Sequence, residues 1–108
     1  MLNDEEELNL AYQAKLGNND AFATLYNNNI KNIYDFVYFK TLNKELAEDL
    51  TSQIFLKVLK NIAQFKSNNF TAWLYTIARH TIIDYYRSNR DTKNIEDCWD
   101  LADSVNLT

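Results

Sequence analysis

The sequence predicts an all-α fold, a compact bundle of three to four helices, and three observations carry that expectation. The 108 residues contain no proline and a single glycine, whereas sheet proteins need turn-forming residues every few positions. Apolar side chains recur at helical spacing through four long stretches. Asparagines stand at or near the start of the first three, where a side-chain oxygen can accept from the orphan N–H groups of a first turn. A chain of this length is one domain and buries roughly two-thirds of the surface its unfolded form exposes.

The first stretch starts at Asn3 or Asp4. Asn3-x-x-Glu6 and Asp4-x-x-Glu7 both fit a capping box, and Glu5, Glu6 and Glu7 suit the positive end of the helix dipole. Leu8, Ala11, Tyr12 and Leu16 supply its apolar side, and Gly17 stands where a helix ends in a left-handed residue. Asn18 or Asn19 caps a second helix, whose stripe of Phe22, Leu25, Tyr26, Ile30, Ile33, Tyr34, Val37 and Tyr38 runs to about Thr41. Its tyrosines read as core aromatics with hydroxyls at the rim.

Asn43 caps the third. Leu46, Leu50, Ile54, Val58, Ile62 and Phe65 form a stripe over about five turns, while Phe55, Leu56 and Leu59 fall outside it. A helix apolar on more than one side is fully buried or meets a partner, and Asp49, Gln53 and Lys57 border the extra positions as a polar rim would. The polar loop Lys66-Ser67-Asn68-Asn69 leads to the last helix, Phe70–Arg90. Leu74, Ile77, Ala78, Thr81, Ile82 and Tyr85 mark its buried face. Trp73, Thr76, His80, Ile83, Asp84 and Arg87 lie opposite, with Arg79 at the edge. An aromatic, a hydroxyl, an imidazole and arginines are the groups that stack on bases and meet base edges or phosphates. The bland alternative is a core helix with a mixed surface, and Trp73 is open between core and contact.

The net charge of −4 divides unevenly. Residues 1–10 carry four acids and no base. Residues 91–108 carry five acids and one lysine. Residues 11–90 hold ten bases against six acids, a surplus of four positive charges. A basic body between acidic ends is compatible with phosphate contact in the middle. Residues 1–90 read as the helical domain, and 91–108 as an acidic linker or tail, or one further marginal helix with Ile95, Trp99, Leu101 and Ala102 on one side.

Catalytic chemistry is hard to assemble. His80 and Cys98 are the only histidine and cysteine, and neither has a partner at metal-ligand spacing. One glycine cannot make a phosphate-cradling loop. Glu45, Glu48 and Asp49 are too close together to work as an acid and a base across a cleft. The reading is a non-enzyme with no metal or cofactor, no internal disulfide and no membrane span, suited to a reducing cytoplasm. The acidic start is unlike a signal peptide.

From about Gly17 to Arg90 the chain resembles region 2 of bacterial RNA polymerase sigma factors, in particular the extracytoplasmic-function (ECF) group. Three segments carry the resemblance: Ala21-Phe22 to Tyr26 with Ile33-Tyr34; Glu48-Asp49-Leu50-Thr51 with Ile54-Phe55-Leu56-Lys57; and Phe70 through Trp73-Leu74-Tyr75, Ile77-Ala78-Arg79 and Ile83-Asp84-Tyr85 to Arg87.

The resemblance implies a transcription initiation factor domain with two working surfaces. The third helix would dock on the clamp helices of the polymerase β′ subunit through Asp49, Leu50, Ser52, Gln53, Phe55, Leu56 and Leu59. The loop and last helix would recognise the melted promoter −10 element, chiefly its non-template strand, through Lys66, Ser67, Asn68, Asn69, Phe70, Trp73, Thr76, Arg79, His80, Ile83 and Arg87. An anti-sigma factor is a further implied partner. Two departures stand out. Ser52-Gln53 replaces a frequent Gln-Glu, which removes a carboxylate, and His80 replaces a common Asn at a position expected to read promoter sequence. The family's second DNA-binding domain, for the −35 element, is missing from these 108 residues. A sigma-like interaction module that binds polymerase or an anti-sigma protein without independent promoter recognition is the alternative reading.

Overall fold

A computed structural model describes residues 2–89. The expected linker or tail at 91–108 lies outside the described residues, as do Arg90 and Cys98. The described chain forms α1 (Asp4–Lys15), α2 (Asn19–Thr41), α3 (Lys44–Asn61), a 3-10 turn (Ile62–Gln64) and α4 (Phe70–Asn89). No strand occurs among the described residues.

Local chemistry sets each helix start and the end of α1. Of the two boxes the sequence permits, Asn3 and Glu6 form the real one: Glu6 N–H donates to Asn3 Oδ1 at 2.7 Å, and Asn3 N–H donates to Glu6 Oε1 at 3.0 Å. Gly17 ends α1 at φ +101°. There Gly17 N–H bonds to the Ala14 carbonyl and Asn18 N–H to that of Gln13, the paired closure of a Schellman motif. Asn18, Asn43 and Asn69 then cap α2, α3 and α4 through their side-chain oxygens. Leu42, with φ +54°, makes the tight corner between α2 and α3, a left-handed conformation unusual for a side chain of its size.

α2 packs along both α1 and α3, and α4 lies against all three other helices. The core is drawn from every helix, with Leu25, Ile33 and Val37 of α2, Leu50, Ile54 and Val58 of α3, and Leu74, Ala78 and Ile82 of α4 out of contact with water. Phe65 and Phe70, one at each end of the 66–69 loop, are the largest fully buried side chains. Truncating such a ring costs about 3–5 kcal/mol.

Several expected faces are rotated. Leu16, just past the end of α1, is 87 % exposed and Tyr12 sits at the surface, while Glu7, Ala11 and Ala14 turn inward. On α2 the buried set is Ala21, Leu25, Asn29, Ile33 and Val37, with Tyr26 and Tyr38 at the surface. On α4 the buried ring near the end is Tyr86, and Tyr85 is only half-buried. On α1 and α2 the cause is polar and small side chains in the core. Glu7 and Asn29 are buried because they satisfy one another, which hydrophobic periodicity does not register.

Candidate polymerase and nucleic-acid interfaces

The third helix holds its inner side rigidly. Leu50 is fully buried and Phe55 nearly so, its ring edge-on to Tyr26 of α2 at 4.9 Å. Both are therefore corrected from contact residues to core. Lys57 is no rim either: its ammonium donates to Thr81 Oγ1 on α4 at 3.2 Å. What faces outward is Asp49, Ser52, Gln53, Leu56 and Leu59, at spacings that share one helical face. Leu56 is 65 % exposed and Leu59 50 %. Two bare leucines among a carboxylate, a hydroxyl and an amide make a small apolar centre with a polar surround, suited to packing against another helix. Beside it, Ile30, Tyr34, Lys44, Glu48, Thr51 and Ser52 help line a groove of about 510 Å³ between α2 and α3. Burial, with the Glu48 charge adding to it, pushes the Tyr34 hydroxyl above its ordinary pKa.

The second surface is built on the loop. Lys66, Asn68 and Asn69 are exposed and Ser67 partly so. The loop is internally bonded: Asn69 N–H donates to Ser67 Oγ at 3.0 Å, and that hydroxyl donates to the Asn69 carbonyl at 3.2 Å. Asn69 Oδ1 also accepts from Ala72 N–H at 3.0 Å as the α4 cap. Phe70 is buried and is corrected to core. Trp73 resolves in between. Half-buried, it sits edge-on to Phe65 at 5.0 Å and beside Phe70 at 5.9 Å, which fixes its ring at the margin of the loop.

Along α4, His80 and Arg87 are exposed, and Arg79 and Ile83 partly so. Thr76 is partly exposed, but its hydroxyl donates to its own helix at the Ala72 carbonyl. Asn69, Thr76 and Arg79 meet in a groove of about 460 Å³ that is also lined by Asp4, Thr71, Ala72 and Tyr75. Sequence reasoning missed those four residues. Asp4 reaches the groove from α1, and no local pattern in α4 could have indicated it. Ala72, Tyr75, Thr76 and Arg79 share one face by helical spacing, which is the signal that could have found Ala72 and Tyr75.

The order of these features along the chain, an exposed Asp-x-x-Ser-Gln-x-x-Leu-x-x-Leu helix face followed by a polar loop and a mixed helix, coincides with a family match. The Sigma-70 region 2 profile covers residues 25–92, well over half of the chain. The chain belongs to that family. Region 2 relatives include ECF RNA polymerase sigma factor BldN of Streptomyces coelicolor, 39 % identical over 85 residues, which cover 77 % of this chain and 32 % of that protein. RNA polymerase sigma factor YlaC of Bacillus subtilis is 37 % identical over 68 % of this chain and 42 % of its own length. ECF sigma factor SigM of the same organism is 31 % identical over 75 % of this chain and 48 % of itself. The aligned part thus spans about a third to a half of these relatives. The likeness places this region 2 domain with the ECF group, whose members are initiation factors rather than enzymes. No described helix is long and apolar enough to cross a membrane.

Proposed function

We propose that this chain acts in transcription initiation as the domain of an ECF sigma factor that joins RNA polymerase to a melting promoter. The exposed face of α3 docks on the β′ clamp helices, with Leu56 and Leu59 at its centre and Asp49, Ser52 and Gln53 around them. The loop 66–69 and the outer side of α4 hold the non-template strand of the −10 element. Asn68, with Lys66 beside it, meets an extruded base. His80 and Arg79 face the strand, and Arg87 meets its backbone. Pulling a base from the stack costs a few kcal/mol, which stacking and edge hydrogen bonds in a shaped site offset. The place of action is the cytoplasm, where polymerase is. The single observation that supports this reading most is the coincidence of the family match with two separate exposed surfaces of different chemistry.

The test is titration of the chain against an isolated β′ clamp-helix fragment, with Asp49→Arg as control. Saturable binding that the substitution abolishes is the expected result, and no binding by the unsubstituted chain overturns the docking assignment. If Asn68→Ala and His80→Ala then leave the preferred DNA strand unchanged, the chain is a polymerase- or anti-sigma-binding module and not a promoter reader.

A further inference from the structure

The loop 66–69 is held from outside itself, by a helix that lies before the family-matched segment. One carbonyl of the loop, and the one just before it, point at α1. The Lys15 ammonium donates to the Phe65 carbonyl at 2.7 Å, and the Tyr12 hydroxyl donates to the Ser67 carbonyl at 3.0 Å. The same two side chains brace each other and the loop base. Lys15 Nζ lies 5.5 Å over the Tyr12 ring, and that ring sits edge-on to Phe65 at 5.1 Å. A surface lysine is ordinarily free to meet phosphate. This one is committed to backbone in a partly buried site.

The far end of the loop is pinned too. Glu7 Oε1 accepts from Thr71 Oγ1 in the first turn of α4 at 3.1 Å. Its other oxygen accepts from Asn28 and Asn29 of α2 at 2.7 and 2.8 Å. A buried carboxylate with three donors ties α1, α2 and α4 together, and a strut so anchored cannot drift without losing all of them.

We infer that Tyr12 and Lys15 are positioning residues that fix the backbone of loop 66–69 for base capture, with Glu7 as the anchor of their helix. The inference rests on the proposed role of that loop in strand recognition. Neither residue touches the strand. Each acts by holding a carbonyl, and with it the direction in which Asn68 and Asn69 present their side chains.

The experiment uses the full chain as Tyr12→Phe, Lys15→Met and the rescue variant Lys15→Arg, beside Asn68→Ala. Amide hydrogen exchange reads the loop without any DNA. A single-stranded library randomised over the −10 segment supplies the preferred strand, and single-base variants of that strand measure discrimination. Losing one such bond is expected to speed exchange at Ser67–Asn69 and to lower discrimination about fivefold. Clamp-fragment affinity stays unchanged, and Lys15→Arg recovers most of both losses. Unchanged loop exchange in Tyr12→Phe and Lys15→Met overturns the strut. Faster exchange with discrimination intact, while Asn68→Ala lowers it, overturns the positioning role alone. If Asn68→Ala also leaves discrimination intact, the loop is not the base site, and the positioning role falls with that reading.

Discussion

The outer face of α3 and the surface around loop 66–69 are built in opposite ways. The α3 face is local. One helix supplies every residue of it, its inner side is seated by Leu50, Ile54 and Val58, and the apolar centre is simply left uncovered. The loop surface is assembled. Its base is Phe65 and Phe70 in the core, its carbonyls are held by Tyr12 and Lys15 from more than 45 residues earlier, and its adjoining groove takes Asp4 from α1. A protein-docking face needs little beyond a rigid helix with the right side out. A site that must hold a flexible strand in one arrangement needs its own backbone fixed first.

That difference should show as different sensitivity to damage. Phe65→Ala carries the largest expected cost, about 3–5 kcal/mol of stability by thermal or denaturant unfolding, and it should raise exchange throughout the loop. Leu56→Glu is the counterpart. Its exposure predicts a stability change within about 0.5 kcal/mol, with loss of clamp-fragment affinity by about 2 kcal/mol or more if it is a centre of the interface. Equal stability losses in the two variants would erase the contrast between a local and an assembled surface.

A smaller effect lies at Thr51, whose hydroxyl is buried without a hydrogen-bond partner. Thr51→Val keeps the shape and removes the unpaired group, so unfolding should show unchanged or higher stability, by up to about 1–2 kcal/mol. A clear loss would mean that the hydroxyl is bonded after all, through a solvent molecule in the groove between α2 and α3.

The smallest effect is alkaline. Burial, with the Glu7 charge adding to it, raises the Tyr75 hydroxyl above its ordinary pKa, and burial does the same for Tyr86. The folded state therefore holds these protons more tightly than the unfolded chain. Their contribution is complete below pH ~10 and is lost as pH rises through the folded values. An absorbance titration should show tyrosinate formation extending above pH ~10 in the folded chain, and stability should decline in that alkaline window.

The contrast also explains what could be read from sequence. The caps at Asn3, Asn18 and Asn43, the glycine stop and the α3 stripe are patterns within a few residues, and all were legible. So were Leu56 and Leu59, since they break the α3 period on its outer side. Phe55 broke the same period yet proved to be core, because Tyr26 of α2 reaches across to cover it. Phe70, expected among the strand contacts, is instead the buried foundation of the loop. Glu7 fits a capping box in sequence, but its burial depends on Asn28, Asn29 and Thr71, and no window of the chain contains all four. Periodicity finds faces, whereas polar contacts between distant segments need the fold.

The most direct test of the two-surface account is a crossed binding measurement, in which Leu56→Glu and the pair Arg79→Ala with Arg87→Ala are each titrated against clamp fragment and single-stranded −10 DNA. The account predicts that Leu56→Glu loses the fragment and keeps the strand. The arginine variants should keep the fragment and bind the strand more weakly, with a shallower dependence on salt as each phosphate contact goes. Variants that lose both ligands together, or a strand affinity that does not respond to salt in the unsubstituted chain, would contradict it.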